Sequence, residues 1–170
     1  MTELKQDLPD LGALSGDGSG VHNVMLVGSG GGHLAQLLAL RPWWQDLDRS
    51  WVCFDAPDAR SQLSEERVAW AYSPTTRNVV NLVRNFFLAI RVLRRETPDV
   101  VVSTGAGVAV PFFAVARLMG IPTVYVEVID RVNTRTLTGR LVLPMSSAFC
   151  VQWREQAQLY PGSVVVGPLL

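Results

Sequence analysis

Short apolar runs alternate with amphipathic segments along most of the chain, and this alternation restricts the fold more than any other feature. The runs are rich in valine and continuous, which is typical of strands buried on both faces. The pattern therefore predicts an α/β fold, a Rossmann-like parallel sheet with helices on both faces. Strands are expected at 23–27, 51–54, 68–72, 100–102, 123–128, 148–151 and 164–166. Helices are expected from Leu34 and at 57–63, 78–96, 108–119, 136–143 and 155–159.

Composition and length describe one globular domain with an N-terminal leader. The chain has 170 residues, of which 48% are hydrophobic, and that is enough for a proper core. Residues 1–22 are acidic and rich in glycine, serine and aspartate, so we predict a disordered leader followed by a folded domain at 23–170. The leader lacks the basic start and apolar core of a signal peptide, and no apolar run is long enough to span a membrane. The formal net charge of zero gives the chain as a whole no affinity for nucleic acid.

The two cysteines indicate the cellular compartment. Cys53 and Cys150 lie inside apolar runs, which suits buried thiols in a reducing cytoplasm better than a disulfide framework. Neither has the neighbouring Cys and His residues that a metal site needs, so no metal site is expected.

A glycine-rich turn joins the first predicted strand to the first helix. It contains Gly28, Ser29, Gly30, Gly31 and Gly32, followed by His33. Glycines let backbone N–H groups converge on a ligand, and a helix start adds partial positive charge, so the expected guest is a phosphate or another anion.

Three interpretations of this turn compete at the level of sequence, and one of them is excluded by the residues present. A dinucleotide-binding frame can be drawn through Gly30, Gly32 and Ala35 with Asp55 about 20 residues on, but such a match alone is weak. A phosphate-binding loop of the Walker type is excluded because no Lys-Ser or Lys-Thr pair follows the glycines. A tight turn without a ligand is the remaining alternative.

Further candidate residues occupy the carboxyl edge of the predicted sheet. Ser103, Thr104 and Gly105 begin a second small-residue turn, which offers hydroxyls and N–H groups to an anion or a sugar. Glu127 ends an apolar strand, where a carboxylate is costly unless used or paired. It is either a general base or sugar-hydroxyl acceptor, or the ion-pair partner of Arg131 or Arg135. His33 is likewise either an anion-binding or proton-transfer group, or a simple turn histidine.

The long helix predicted at 78–96 is strongly basic. Its predicted apolar face holds Leu82, Phe86, Ala89, Ile90 and Leu93, and its remaining surface is expected to be basic. A membrane-facing set is proposed from this pattern: Arg77, Arg84, Phe86, Phe87, Arg91 and Arg95. Basic helices with exposed aromatic residues bind anionic lipid surfaces, whereas an ordinary sheet-covering helix with solvated arginines fits the pattern equally well.

Several of these segments resemble one known family, the oligosaccharide-biosynthesis proteins that form the membrane-side subunit of a split glycosyltransferase. The matching segments run in the same order from Asn23 to Leu170: 28–33, 101–107 with Pro111, 124–127, 137–141, 151–153 and 160–161. Eukaryotic members recruit a catalytic partner that adds N-acetylglucosamine to a dolichol-diphosphate sugar, and bacterial members act in capsule and exopolysaccharide synthesis. A more distant resemblance is to the N-terminal half of the transferase that glycosylates the lipid-linked peptidoglycan precursor.

The resemblance implies the N-terminal half of a GT-B glycosyltransferase, a fold of two Rossmann-like halves facing each other across a cleft. This half would bind a lipid-diphosphate-linked sugar acceptor and the membrane surface, with no cofactor of its own. The UDP-sugar donor would bind a partner subunit, giving a heterodimer. The residues 28–32 with Ser103, Thr104 and Gly105 would hold the acceptor diphosphate, with His33 and Glu127 as candidate catalytic groups.

The chain departs from the family pattern in three places. One is the run of three consecutive glycines at 30–32, which changes the register expected for His33. Val128 stands where members commonly have serine, and an acidic leader replaces the N-terminal anchor of the eukaryotic members. We therefore expect a cytoplasmic protein attached peripherally to the inner face of the plasma membrane. Two alternatives remain at this stage: a non-catalytic scaffold that recruits the partner, and a soluble NAD(P)-binding oxidoreductase.

Overall fold

The computed structural model describes residues 20–75 and 77–170 of the chain. They form a seven-stranded sheet in the order β3-β2-β1-β4-β5-β6-β7, and every neighbouring pair is parallel. The strands are β1 (Asn23–Val27), β2 (Asp48–Phe54), β3 (Val68–Ala71), β4 (Val100–Ser103), β5 (Thr123–Val126), β6 (Ala148–Val151) and β7 (Val164–Val165). The predicted Rossmann-like fold is thus confirmed.

Helices connect each strand to the next. They are α1 (Gly32–Ala39), α2 (Arg41–Trp44), α3 (Pro57–Gln62), α4 (Val79–Glu96), α5 (Ala109–Leu118), α6 (Leu137–Val142) and α7 (Arg154–Leu159), with a 3₁₀ turn at Leu143–Met145. The sequence pattern missed the short α2, which begins with a proline in its first turn and is fixed by the Trp44 indole N–H donating to the carbonyl of Leu37 (2.8 Å). Strand β2 also begins three residues earlier than expected, at Asp48.

The predicted leader at 1–22 lies almost entirely outside the described residues. Its final residue does not fit that prediction, because the backbone N–H of His22 donates to Asp99 Oδ2 at 2.8 Å. The same carboxylate oxygen accepts from the N–H of Asn23 at 2.8 Å. Asp99 thus ties the start of β1 to the segment just before β4.

Two apolar layers cover the two faces of the sheet. Alternate strand residues such as Met25 and Val101 pack with α4 and α5 on one face. Their neighbours Val24 and Val100 pack with α1 and Trp44 on the other face. Because side chains of a strand alternate between faces, burial on both sides requires the continuous apolar runs seen in the sequence.

The strand order reverses between β1 and β4. Strands β2 and β3 extend the sheet on one side of β1, and α4 returns the chain so that β4 pairs with the other side, with Val27 opposite Ser103. The turns after β1 and β4 therefore leave the sheet side by side at its carboxyl edge. Ligands of such sheets bind at this switch point.

Helix α4 buries a different face from the one the sequence predicted. The prediction of Ala89 and Leu93 in the core is confirmed, whereas Leu82 is 38% exposed. Two asparagines take part in the buried face instead, Asn81 and Asn85. The side chain of Asn85 accepts from the N–H of Tyr72 and donates to its carbonyl, both at 2.9 Å. No helix in the described part of the chain is long and apolar enough to cross a membrane.

Candidate functional site at the carboxyl edge of the sheet

A cavity of about 420 Å³ lies at the switch point, where the turns after β1, β4 and β5 meet. Its lining is mainly polar and includes Ser29, His33, Thr75, Gly107, Arg131 and Thr138. The structure thus brings the glycine turn, the second small-residue turn and the segment after Glu127 to one place, as the sequence predicted. Arg131 and Asp130 are lining residues that sequence reasoning did not assign to a site.

His33 is held at this cavity by a reciprocal contact with Thr104. Its Nδ1 lies 2.9 Å from the carbonyl oxygen of Thr104, and the Thr104 hydroxyl donates to the carbonyl of His33 at 2.7 Å. A carbonyl oxygen can only accept, so Nδ1 carries the proton. In the neutral ring Nε2 is then an unprotonated acceptor, which is the state that a general base requires.

Gly105 leaves the space that the His33 ring occupies. It adopts φ +121°, and a Cβ there would lie 2.7 Å from Cε1 and 2.9 Å from Nδ1 of His33. A side chain at this position would therefore displace the imidazole as well as strain the backbone. The role of Gly105 is to seat the histidine.

The glycine turn contacts an acidic residue that sequence reasoning missed. The N–H of Gly31 donates to Asp58 Oδ2 at 2.9 Å, and a Cβ on Gly30 would approach the same oxygen at 3.1 Å. The backbone N–H groups of Gly31 and Ala59 hold the pKa of Asp58 below its ordinary value. Asp58, at the start of α3, thus takes one of the turn's donors and fixes the turn's conformation.

The second small-residue turn, which begins with Ser103 and Thr104, lies mostly behind the cavity wall. Ser103 and Thr104 are fully buried, and the Ser103 hydroxyl accepts from the N–H of Gly105 at 3.1 Å. The cavity surface at this turn comes from Ala106 and Gly107. The structure therefore differs from the expectation that the Ser103 and Thr104 hydroxyls face a diphosphate, since both hydroxyls make hydrogen bonds inside the protein.

Glu127 is completely buried behind the cavity and does not line it. Its carboxylate accepts from the N–H of Val128 at 2.9 Å, from the hydroxyl of Thr136 at 2.9 Å and, in a very short contact, from the hydroxyl of Tyr160. Among the described residues no arginine is within ion-pair distance of it, so the predicted pairing with Arg131 or Arg135 is wrong. The guanidinium of Arg135 lies over the Tyr160 ring instead, at 5.6 Å from its centroid.

The contacts of Glu127 organise the start of α6. The Thr136 hydroxyl that donates to Glu127 also accepts from the N–H of Gly139 at 2.9 Å and so caps the helix. A Cβ on Gly139 would collide with the Glu127 carboxylate and lie 2.8 Å from the Tyr160 hydroxyl. Burial, and then the hydrogen bond to Glu127, raise the pKa of Tyr160 to about 12, so its hydroxyl remains a donor at neutral pH.

Three buried glutamines hold the segment that follows Glu127. Gln152 donates to the carbonyl of Glu127 at 2.9 Å and to the side-chain oxygen of Gln36 at 2.6 Å. Gln156 donates to the carbonyl of Val128 at 2.7 Å. Because these amides satisfy backbone groups that no strand partner reaches, they fix the path that brings Arg131 to the cavity.

The carboxylate that suggested a dinucleotide-binding site is engaged in an ion pair. Both carboxylate oxygens of Asp55 accept from the guanidinium of Arg60, one of them at 2.7 Å, and Arg60 holds the pKa of Asp55 below its ordinary value. That carboxylate is therefore not available to a ribose in this conformation. The described residues contain no group of three or more His, Cys, Asp or Glu that could hold a metal ion.

An apolar groove of about 540 Å³ adjoins the polar cavity. Its walls come from the start of α4, the start of α5 and α6, and include Val79, Leu82, Val110, Leu137 and Leu141. Three further residues, Thr75, Gly107 and Thr138, line both the groove and the cavity. The two spaces are thus adjacent.

Comparison with known proteins assigns the family. A model of the family described as "Oligosaccharide biosynthesis protein Alg14 like" matches residues 63–169. The chain is 34% identical over 98 residues to UDP-N-acetylglucosamine transferase subunit ALG14 of Homo sapiens, covering 54% of this chain and 45% of that protein. The Rattus norvegicus protein of the same name is 33% identical over 112 residues, covering 62% and 50%. The chain thus spans about half the length of the curated relatives it matches.

A bacterial enzyme and solved structures extend the comparison. The chain is 32% identical over 92 residues to the UDP-N-acetylglucosamine--N-acetylmuramyl-(pentapeptide) pyrophosphoryl-undecaprenol N-acetylglucosamine transferase of Geobacillus kaustophilus, covering 50% of this chain and 25% of that one. Acinetobacter baumannii MurG superimposes with a TM-score of 0.65 and 21% identity, over 79% of this chain and 42% of that one. The S. aureus MnaA-UDP co-structure gives 0.67 and 15%, over 87% and 44%.

These structural matches show the fold alone, which corresponds to one Rossmann-like half of a GT-B chain. The family model, in contrast, covers the long helix α4 and all the strands from β3 onward, together with Glu127, Arg131 and the buried glutamines at 152 and 156. The chain belongs to the Alg14-like family of oligosaccharide biosynthesis proteins.

Proposed function

We propose that this protein is the acceptor-binding, membrane-side subunit of a two-subunit UDP-sugar-dependent glycosyltransferase that acts in lipid-linked oligosaccharide or exopolysaccharide synthesis. One observation carries the proposal: His33 lines a polar cavity where the turns after β1, β4 and β5 meet, with its Nδ1 engaged by the carbonyl of Thr104. Family membership supports it, because the relatives are named subunits of a UDP-N-acetylglucosamine transferase.

The cavity has the groups that a charged acceptor needs. Arg131, the Ser29 hydroxyl and the Thr138 hydroxyl line it beside the glycine turn. A guanidinium and hydroxyl donors match the oxygens of a diphosphate, and the start of α1 adds favourable partial charge. In this proposal the acceptor diphosphate lies against these groups and its sugar hydroxyl approaches His33.

The chemical step then follows from the position of His33. The acceptor hydroxyl oxygen attacks the anomeric carbon of the donor, the bond from that carbon to the UDP oxygen breaks, and UDP leaves with the bond electrons. The hydroxyl proton passes to Nε2 of His33. The UDP-sugar binds to the partner subunit, and this half requires no cofactor of its own.

Glu127 has a different part in this mechanism from the one expected. A fully buried carboxylate with three hydrogen-bond donors does not reach an acceptor in the cavity. We therefore assign it a positioning role: it holds Thr136 and the start of α6, which places Thr138 at the cavity.

Helix α4 supplies the proposed membrane contact. Its outer surface exposes Val79, Val80, Val83 and Phe87, of which Val79 is 72% and Phe87 65% exposed. The basic residues beside them are Arg84, Arg91, Arg94 and Arg95, all exposed, and Arg77 precedes the helix. Phe86 is half-buried and packs against the core, so it contributes less to this surface than expected. An apolar patch with adjacent cations suits an anionic bilayer surface, and we propose peripheral attachment to the inner face of the plasma membrane.

The decisive experiment co-expresses this chain with its candidate donor-binding subunit and measures transfer of labelled N-acetylglucosamine from UDP-N-acetylglucosamine to a lipid-diphosphate-linked sugar. Transfer should require both chains. The variant His33→Asn should lower kcat by about 100-fold or more with little change in the KM of the acceptor, because a general base contributes about that factor.

The matched control is His22→Asn, the same substitution at the opposite edge of the sheet, which should leave the rate unchanged. Complex formation with full activity of His33→Asn would instead establish the non-catalytic scaffold, the alternative function. If the assembled complex shows no transfer, the proposed glycosyltransferase activity is contradicted.

A further inference from the structure

The apolar groove beside the cavity is formed by side chains that the protein leaves in contact with water. Val79 is 72% exposed, Leu137 70%, Leu141 46% and Leu82 38%. Exposed apolar residues scattered singly are ordinary, but these four lie together on two facing helices and line one groove. Such a concentration favours an apolar occupant.

The groove lies directly beside the polar cavity. Thr75, Gly107 and Thr138 belong to both linings and mark the boundary where the two spaces meet. A Cβ on Gly107 would lie 2.7 Å from the Thr75 hydroxyl oxygen. Glycine therefore allows these two segments to lie close together at the boundary. A ligand that fills both spaces must be polar at one end and apolar at the other.

The far end of the groove leads to the outer surface of α4. Val79 and Leu82 line the groove, while Val80 and Val83, their neighbours in sequence, are exposed without lining it. Arg77 also lines the groove. An apolar chain that leaves the cavity through the groove therefore emerges beside the basic, apolar surface that we assign to the membrane.

We propose that the groove between α4 and α6 binds the first carbons of the acceptor's lipid tail, those next to the diphosphate. This inference rests on the proposed function and extends it: the protein recognises the lipid itself and does more than sit on the bilayer. The diphosphate occupies the polar cavity, the proximal tail occupies the groove, and the rest of the tail remains in the membrane.

Calorimetric titration of the full chain with two soluble probes tests the proposal. Both probes are N-acetylglucosamine diphosphates, one a methyl ester and the other a citronellyl ester with a ten-carbon branched tail. The citronellyl probe should bind at least about tenfold more tightly than the methyl probe, since the tail removes apolar surface from water. The double variant Leu82→Gln with Leu141→Gln should bring this preference close to unity and leave the affinity for the methyl probe unchanged.

The variant Leu118→Gln is the matched control. Leu118 is 79% exposed at the end of α5, at the opposite edge of the sheet, and lines neither space. It should keep the full preference for the citronellyl probe. Because the substituted leucines are all exposed, thermal unfolding of the three proteins should agree, which excludes misfolding as the cause.

The possible results distinguish failure of the tail-binding proposal from failure of the proposed function. If the unaltered protein binds both probes with equal affinity, the groove does not bind the lipid tail and this proposal is wrong. The proposed acceptor site is not affected by that result. Failure of both probes to bind contradicts the proposed acceptor site itself. If the double variant keeps the preference but loses its donor-binding partner or its affinity for anionic vesicles, the groove belongs to that partner or to the bilayer, and the proposal is wrong.

Discussion

At the scale of single residues, Glu127 is a buried carboxylate whose hydrogen-bond donors all come from inside the protein. Its three donors are a backbone N–H and the hydroxyls of Thr136 and Tyr160. Each donor would be costly to leave unpaired in the interior. Removal of the carboxylate therefore affects the fold of the cavity wall before it affects the chemistry.

Substitution of Glu127 tests this role. Glu127→Ala should lower the free energy of unfolding by about 2–5 kcal/mol, because several buried donors lose their acceptor at once. Glu127→Gln keeps one carbonyl acceptor and should restore most of the stability and most of kcat. Urea unfolding and transfer rates of the two variants provide the measurement.

A base role for Glu127 makes the opposite prediction for the glutamine variant. Glutamine cannot take a proton, so kcat of Glu127→Gln would fall by about 100-fold or more while its stability stayed near that of the unaltered protein. Such a result would return Glu127 to the catalytic groups.

Sequence reasoning identified the unusual residues at this scale but not their partners. A histidine after a glycine turn and a glutamate in an apolar strand are visible in the chain. The partner of His33 is a backbone carbonyl 71 residues away, and no pattern of side chains encodes it. Asp58 was missed for the same reason, since its contact with Gly31 depends on how β2 and α3 pack beside the turn.

At the scale of elements, helix α4 serves two surfaces at once. Its inner face packs on the sheet through Leu88, Ala89, Val92 and Leu93. Its outer surface combines arginines with exposed valines and Phe87. Arg84 lies over the Tyr72 ring, at 5.6 Å from the centroid, and lines a small surface pocket with Arg91 and Phe87.

Charge reversal on the outer surface of α4 should remove the membrane contact and spare the fold. Arg84→Glu with Arg91→Glu should weaken binding to vesicles that contain phosphatidylglycerol by about tenfold or more, at about 1 kcal/mol for each charge removed and a further repulsion from each one added. Vesicle co-sedimentation at low and high salt measures this. Arg117→Glu, at the exposed end of α5, is the control and should bind as the unaltered protein does, whereas equal weakening by both would refute a specific role for α4.

The apolar pattern of α4 was predicted only in part, and two asparagines explain why. Asn81 and Asn85 are buried because they bond to the backbone of the β3–α4 connection, with Asn81 donating to the carbonyl of Pro74 at 3.0 Å. Hydropathy places such amides on the solvent side of a helix. The buried face is therefore rotated from the predicted one, and Leu82 becomes part of the groove.

At the scale of the whole molecule, both cysteines lie in the apolar layer that contains α1. Burial raises the pKa of Cys53 to about 11 and that of Cys150 to about 12, from an ordinary value of 9.0. Both thiols are therefore neutral in the folded protein over the range in which they ionise in the unfolded chain. This agrees with the prediction of buried, unpaired thiols.

Alkaline pH should weaken the fold through these thiols. Above pH 9 the unfolded chain releases thiol protons that the folded protein keeps, so the free energy of unfolding should fall by up to about 1.4 kcal/mol per pH unit for each thiol until its folded pKa is reached. Urea unfolding between pH 7.5 and 10.5 measures the slope. A Cys53→Ala and Cys150→Ala double variant should show a shallower slope, and an unchanged slope would assign the effect to other groups.

The overall fold was predicted well because it depends on periodic patterns that repeat along the chain. Continuous valine-rich runs, glycines at strand ends and amphipathic helices each recur, so an error in one element does not change the architecture. The cavity and the groove do not repeat. They arise where segments distant in sequence, such as those containing Thr75 and Thr138, come together at one edge of the sheet.

The reciprocal contact between His33 and Thr104 has a consequence for how the two turns evolve. The imidazole fills the space that a side chain at Gly105 would need, and the backbone of each turn is bonded by a side chain of the other. A change in one turn therefore alters what the other can accept. Aligned relatives should show positions 33, 104 and 105 changing together or not at all, so that the two motifs are inherited as one unit although 71 residues separate His33 from Thr104 in the chain.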